Sequence, residues 1–303
     1  MGIQEKYINP LTDFGFKKLF GTEPNKELLI DFLNQLLPKE KIIKDLTYTK
    51  NEHLGSSEID RKAIFDLYCE NKSGEKFIVE IQKAKQNYFK DRSVYYSTFP
   101  IQEQAKRGDW DFKLTDVFTI GILDFVFEDH SKEKEFIHTV KLKDQNCNVF
   151  YDKLTYIYVE LPKFKKEEKD LETRFEKWLF VLRHLANLQN RPKGLQDKIF
   201  KKLFEAAEIA KFSKKDRELY EESLKYYRDI KNVVDTSRQE GREEGRQEGR
   251  QEEKIQIIRN GLKQGVPIAV LAKLTGYNEA EIKKIKLAEN ERNGDNDKTR
   301  KNS

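Results

Sequence analysis

Cysteine is scarce in this chain: two residues in 303, Cys69 and Cys147, with no CxxC spacing. Cys69 falls among apolar residues of a strand-like run, so it reads as a core side chain rather than a ligand. Histidine is nearly as rare. His53, His130, His138 and His184 show neither HxH nor HExxH spacing, so a zinc site is not expected. The glycine-rich patterns GxxxxGK[ST] and GxGxxG are missing, and with them the expectation of a nucleotide cofactor. No apolar run approaches the ~20 residues of a membrane span. The longest, Val117 to Leu123, has strand length. With no secretory h-region at the N-terminus either, the expectation is a cytoplasmic protein without a membrane partner. A surplus of one charge sign is also lacking: 58 basic residues against 53 acidic leave a net charge of +5. That balance permits nucleic-acid binding without requiring it.

What is present is a chain 37% hydrophobic and 37% charged. It is long enough for one large core, or for a domain with appendages. Its most informative stretch has the pattern of a β-hairpin. Ala63 to Glu70 and Glu75 to Lys83 are apolar-rich runs joined by Asn71-Lys72-Ser73-Gly74. Alternation places Phe65, Leu67 and Cys69 on one face and Ile64, Asp66 and Tyr68 on the other. In the second run Phe77, Val79 and Ile81 oppose Ile78, Glu80 and Gln82. Asp66 and Glu80 thus interrupt apolar runs, where a carboxylate is costly unless paired or bound to metal.

Loop length decides whether these acids meet. A loop of Lys72-Ser73-Gly74 sets Asn71 against Glu75 and Asp66 against Glu80, as does a five-residue loop; two or four residues would separate them. Directly opposed Cβ atoms lie roughly 4.5–5.5 Å apart. Carboxylates at that distance repel and raise each other's pKa, and a divalent cation relieves them. Hard oxygen donors suit Mg²⁺ or Mn²⁺. The competing reading is an edge hairpin whose acids face solvent.

Around the hairpin, Thr12 or Asp13 is expected to cap a helix carrying Phe16, Leu19 and Phe20. A second helix from Asn25 carries a leucine-rich stripe to Pro38. A strand is expected within 42–50, a helix over 88–106 kinked at Pro100, and a strand buried on both faces over 116–127. Further strands are expected at 136–142 and 154–160. Two or three helices follow within 166–235, the clearest running from Leu171 to Leu188. Over 239–252, Glu, Gly and Arg each recur every four residues. Within one helix that spacing sets Glu against Glu, and each glycine costs about 1 kcal/mol relative to alanine. The repeat therefore reads either as a flexible linker or as a helix whose Glu and Arg stripes match a neighbouring helix. Residues 255–290 have the outline of a helix-turn-helix, and a charged end follows from Asn290, where disorder is expected.

The order helix, strand, acidic hairpin, helix, buried strand resembles the core of PD-(D/E)XK nucleases. More narrowly, the chain looks like the PD-(D/E)XK family transposases and Rpn-like recombination-promoting nucleases. The residues that carry this are Thr12-Asp13-Phe14-Gly15-Phe16-Lys17-Lys18-Leu19-Phe20-Gly21, Phe32-Leu33-Asn34, Phe65-Asp66-Leu67, Glu80-Ile81-Gln82 and Phe89…Arg92…Tyr95-Tyr96. The likeness is strong over about residues 7–127 and looser beyond. It implies an α/β, restriction-endonuclease-like core of a mixed β-sheet flanked by helices, with a helical C-terminal extension. The implied divisions are a nuclease-like domain over 1–165, helices over 166–237, the repeat over 238–254, and a small helical tail over 255–303.

The likeness also implies a metal-dependent DNA endonuclease. Asp66 and Glu80 would bind Mg²⁺ or Mn²⁺, with the Ile81 carbonyl, and Asp13 would be the acid contributed by the first helix. Gln82 stands where the wider superfamily has lysine; an amide can orient water but carries no charge. Lys83, Lys85 and Arg92 are the expected DNA contacts, Lys83 facing away from Gln82. DNA is the expected partner, with a homo-oligomer formed through the C-terminal region.

Overall fold

The computed structural model describes residues 5–49, 65–105, 108 and 110–288, with the backbone alone at 52, 53, 63 and 64. Six strands form one mixed sheet in the order β1-β4-β5-β6-β8-β7: β1 (Leu46–Tyr48), β4 (Leu67–Asn71), β5 (Lys76–Gln82), β6 (Val117–Leu123), β7 (Ile137–Lys143) and β8 (Val149–Glu160). β5, β6 and β8 run parallel and the other pairings are antiparallel. All seven residues of β6 are buried, because parallel neighbours flank it and helices cover both faces. β8 begins earlier than its apolar core suggests. Its outer half pairs with β7 across register shifts near Leu142 and stays largely exposed, Val149 and Phe150 included.

The hairpin has the register given by the three-residue loop. Leu67 pairs with Val79, Tyr68 with Ile78, Cys69 with Phe77 and Glu70 with Lys76. Gly74, at φ +80°, turns the chain. The strand does not extend back to Ala63, however. The chain bends at Asp66, and β3 (Ala63–Ile64) pairs instead with β2 (Glu52–His53) in a separate ribbon. The alternation breaks at that bend: Phe65 packs with Tyr68 and Ile78, not with Leu67. A strict alternating reading therefore misplaced Phe65.

Two helical layers cover the sheet. On one face lie α1 (Asp13–Phe20), α2 (Lys26–Leu33), α4 (Arg174–His184), α5 (Lys198–Ala207) and the first turns of α6 (Lys214–Lys263). Their apolar sides meet around Phe16, Phe20, Phe32, Trp178, Phe200 and Tyr220, packed on Leu67, Phe77, Val79, Ile81, Ile120 and Ile157. α1, α4 and α5 start where the sequence supplies a side-chain cap. Thr12 accepts the Gly15 amide, Thr173 and Glu176 form a capping box, and Asp197 accepts the amides of Ile199 and Phe200. Asp31 fastens α2 to α4 by accepting from Trp178 Nε1 at 2.7 Å and Arg174 Nε at 2.8 Å. The other face carries α3 (Phe89–Gln102), with Pro100 in its last turn. Ser93 and Ser97 are small enough to bring α3 against the sheet, each sharing a 2.8 Å hydrogen bond with Tyr158 or Tyr156.

The chain divides into Met1–Asn232 and Val233–Ser303. In the second unit α6 is helical through the whole Glu/Gly/Arg repeat, every residue of which is exposed. After it come α7 (Ile268–Thr275) and helical backbone over 279–288, packed around Ile258, Leu271 and Ile282. Residues beyond 288, where disorder was expected, lie outside the described residues.

Candidate active site

The bend just before β4 places Asp66 beside Glu80. The Asp66 amide donates to Glu80 Oε1 at 3.2 Å, and Asp66 Oδ2 accepts the Ile81 amide at 2.7 Å. Glu80 points to the α3 side of β5, next to Gly121 on β6, which in turn pairs with Tyr158 on β8. A Cβ at Gly121 would stand 3.0 Å from the Tyr158 ring, so glycine is what lets that ring lie close there. Both acids keep a partly exposed edge, yet protein atoms crowd their carboxylates. Burial, reinforced by the Asp66 charge, pushes Glu80 up to about 8. Burial likewise raises Asp66, with the charge of Asp13 adding to it. Lys17 acts against both shifts, Lys83 against that of Asp66 and Arg92 against that of Glu80.

Gln82 closes β5, buried. Its Nε2 donates to the Ala84 carbonyl at 2.9 Å and its Oε1 accepts from Arg92 Nη2 at 2.6 Å. Arg92 also donates to Gln86 and lies over the ring of Phe89. The amide and the guanidinium thus lock each other on the α3 side. Lys83 leaves the strand on the other side, where it lines a groove of about 810 Å³ with Asp13, Lys17, Lys18, Leu219 and Tyr226. Burial lowers the Lys83 ammonium, the charges of Asp13 and Asp66 oppose that shift, and Nζ stands 5.1 Å above the Tyr226 ring.

The first helix brings Asp13 to the same groove, 2.9 Å from Lys17 one turn on. Lys85 lies elsewhere. It pairs with Glu128 on a second groove of about 490 Å³ that also holds Lys90, Phe127 and Asp129. The structure therefore joins Asp66, Glu80, Ile81, Asp13, Lys83, Gln82 and Arg92 into one neighbourhood and leaves Lys85 beside it.

A family model described as PD-(D/E)XK nuclease family transposase matches residues 10–237. The chain belongs to this family. No curated protein and no solved structure matches it significantly. The match covers the whole sheet and both helical layers and stops within α6, so the C-terminal helices fall outside it. Membership supports a nuclease-like function, that of a hydrolase acting on DNA. Among the described residues no helix is long and apolar enough to cross a membrane.

Two features of this PD-(D/E)XK chain escaped the sequence reading. Lys17 sits electrostatically among Asp13, Asp66 and Glu80, and its spacing of four from Asp13 on a helix was the available signal. His130, His138 and Glu160 converge at the β7–β8 edge, and no local spacing announces them.

Proposed function

We propose that this protein is a metal-dependent DNA endonuclease that hydrolyses phosphodiester bonds with little sequence preference, promoting recombination or acting in transposition or phage defence. The observation that carries this reading is the Asp66–Glu80 contact: two crowded carboxylates with raised pKa values in the acidic hairpin of a PD-(D/E)XK chain. Such a pair fits a hard divalent ion, whose charge relieves the repulsion that otherwise favours holding a proton. Asp66, Glu80 and the Ile81 carbonyl would hold Mg²⁺ or Mn²⁺, which when bound supplies Lewis-acid activation of water and neutralises phosphate charge.

The chain's own groups divide the remaining work. The Ile81 amide fixes the Asp66 carboxylate, and Asp13 contributes a third acid at the groove. Lys83 and Lys17 offer ammonium groups to the scissile phosphate and its neighbours. Arg92 holds Gln82 and balances Glu80. These groups would address phosphates rather than base edges, which agrees with weak sequence preference. The exposed repeat in α6 supports self-association, since its Glu and Arg stripes can be matched by a second copy.

A second reading, a catalytically weak nuclease-fold protein that binds DNA as an oligomer, draws on Gln82. Where the superfamily uses a charged lysine, this amide is committed to Arg92 and Ala84. The two readings separate on labelled duplexes of unrelated sequence. Cleavage of all of them in Mg²⁺ or Mn²⁺, abolished by EDTA, supports the nuclease. Retarded migration with no product in any metal supports the binding protein.

A further inference from the structure

Apart from the hairpin acids, the described residues bring together one set of nitrogen and oxygen donors from three distant points in the chain. Glu160 ends β8 with its side chain fully buried; His138 projects from β7; His130 lies in the connection between β6 and β7. One donor atom from each residue falls within 4.8 Å of the other two. The imidazole rings stack at 3.9 Å between centroids. His138 Nε2 is 3.1 Å from Glu160 Oε2, and His130 Nδ1 is 3.6 Å from Glu160 Oε1.

The carboxylate itself is well satisfied: the Phe127 amide donates to Oε1 at 2.7 Å and Lys163 Nζ lies 2.6 Å from Oε2. One charge partner would be enough for one buried acid. A second imidazole is nonetheless held against it, and His130 Nδ1 is buried with no hydrogen-bond partner. A buried ring nitrogen facing a carboxylate without a hydrogen bond is disfavoured as a purely structural element. It is the expected disposition of a ligand.

We propose that His130, His138 and Glu160 form a site for a borderline divalent transition metal of the zinc type, separate from the hairpin acids. Two imidazole nitrogens and a carboxylate are a three-ligand donor set suited to zinc, with the fourth position left to water. Lys163 does not bar the site. Its ammonium also donates to the carbonyls of His130 at 2.8 Å and Glu135 at 2.9 Å, so it can release Glu160 and stay paired. A bound ion would tie the β6–β7 connection to β7 and β8. Asp129, 3.8 Å from His130 Nε2, and Glu133, 4.0 Å from His138 Nδ1, place negative charge behind the rings without a hydrogen bond to either.

The test is calorimetric titration of the EDTA-treated full chain with Zn²⁺, paired with Co²⁺ absorption. It is run in an Asp66→Ala/Glu80→Ala background to remove competition from the hairpin. One Zn²⁺ per chain is expected, with the intense visible bands of a low-coordinate Co²⁺ centre. His138→Ala should weaken binding on the order of tenfold or more. Lys163→Met should tighten it, because the competing cation is gone; this arm is informative even if His138→Ala misfolds. Absence of Zn²⁺ binding in this background, or affinity unchanged by both His138→Ala and Lys163→Met, overturns the proposal. Nuclease activity is not part of the readout, so the result stands independently of the proposed function.

Discussion

The backbone amide of Asp66 donates to the side chain of Glu80 at 3.2 Å, while the Asp66 carboxylate accepts the amide next to Glu80, that of Ile81, at 2.7 Å. Each acid is thus positioned through the other's strand. The two carboxylates cannot separate without losing main-chain hydrogen bonds, so their mutual repulsion is built into the fold.

Stability without metal should therefore fall as pH rises. Glu80 takes up its proton near 8 in the folded protein against an ordinary value of 4.5. Between these values the folded state binds more protons than the unfolded state, so rising pH favours unfolding. Thermal denaturation in EDTA is expected to show a falling midpoint from about pH 4.5 to about pH 8. Mg²⁺ should raise the midpoint more at pH 8 than at pH 5, and Glu80→Gln should flatten the profile.

Lys83 should behave as a phosphate contact within the site. Lys83→Ala is expected to weaken DNA binding across all sequences and to reduce the slope of log affinity against log salt by about 1. It should also slow cleavage. Lys85→Ala, on the separate groove with Glu128, should change cleavage much less. Fluorescence anisotropy at several salt concentrations, with parallel rate measurements, checks both.

Gln82→Lys should not improve the enzyme. Gln82 accepts from Arg92 at 2.6 Å, so a lysine there would set two cations against each other and leave the guanidinium short of an acceptor. A loss of about 1–3 kcal/mol in denaturant unfolding is expected, with no gain in cleavage rate.

Gly261 in α6 should resist substitution. A Cβ at this position would lie 2.4 Å from Leu271 Cδ2, inside the small cluster of α7. Gly261→Ala is expected to cost that cluster about 1–3 kcal/mol, seen as faster amide exchange over residues 255–288 while the Met1–Asn232 unit keeps its protection.

Self-association should depend on the repeat. Replacing Arg242, Arg246 and Arg250 with glutamate leaves no opposite stripe for the Glu residues of a second copy. Light scattering after size exclusion should report an oligomer for the parent chain and a smaller species for the triple variant.

The hairpin register was legible in its parity: a loop of three or five residues sets Asp66 against Glu80, and the folded hairpin uses the three-residue one, turned at Gly74. The bend at Phe65–Asp66 was not, since an apolar Phe65 suits either face of a sheet covered on both sides. That bend makes the Asp66–Glu80 contact a meeting of backbone and side chain rather than of paired strand residues. The direction of Lys83 followed from alternation, but what it faces did not: Tyr226 is more than 140 residues away and only the tertiary fold brings it there. His130, His138 and Glu160 were invisible for the same reason. Their spacings of 8 and 22 residues match no local motif, and the pairing of β7 with β8 supplies the proximity.

The most direct measurement is nicking of supercoiled plasmid in Mg²⁺ or Mn²⁺ by the parent, Asp66→Ala and Glu80→Ala, each with an EDTA control. Metal-dependent nicking by the parent that falls to background in both variants is the predicted result. Nicking that survives in both variants, or its absence from a folded parent that still retards DNA, would contradict a nuclease centred on Asp66 and Glu80.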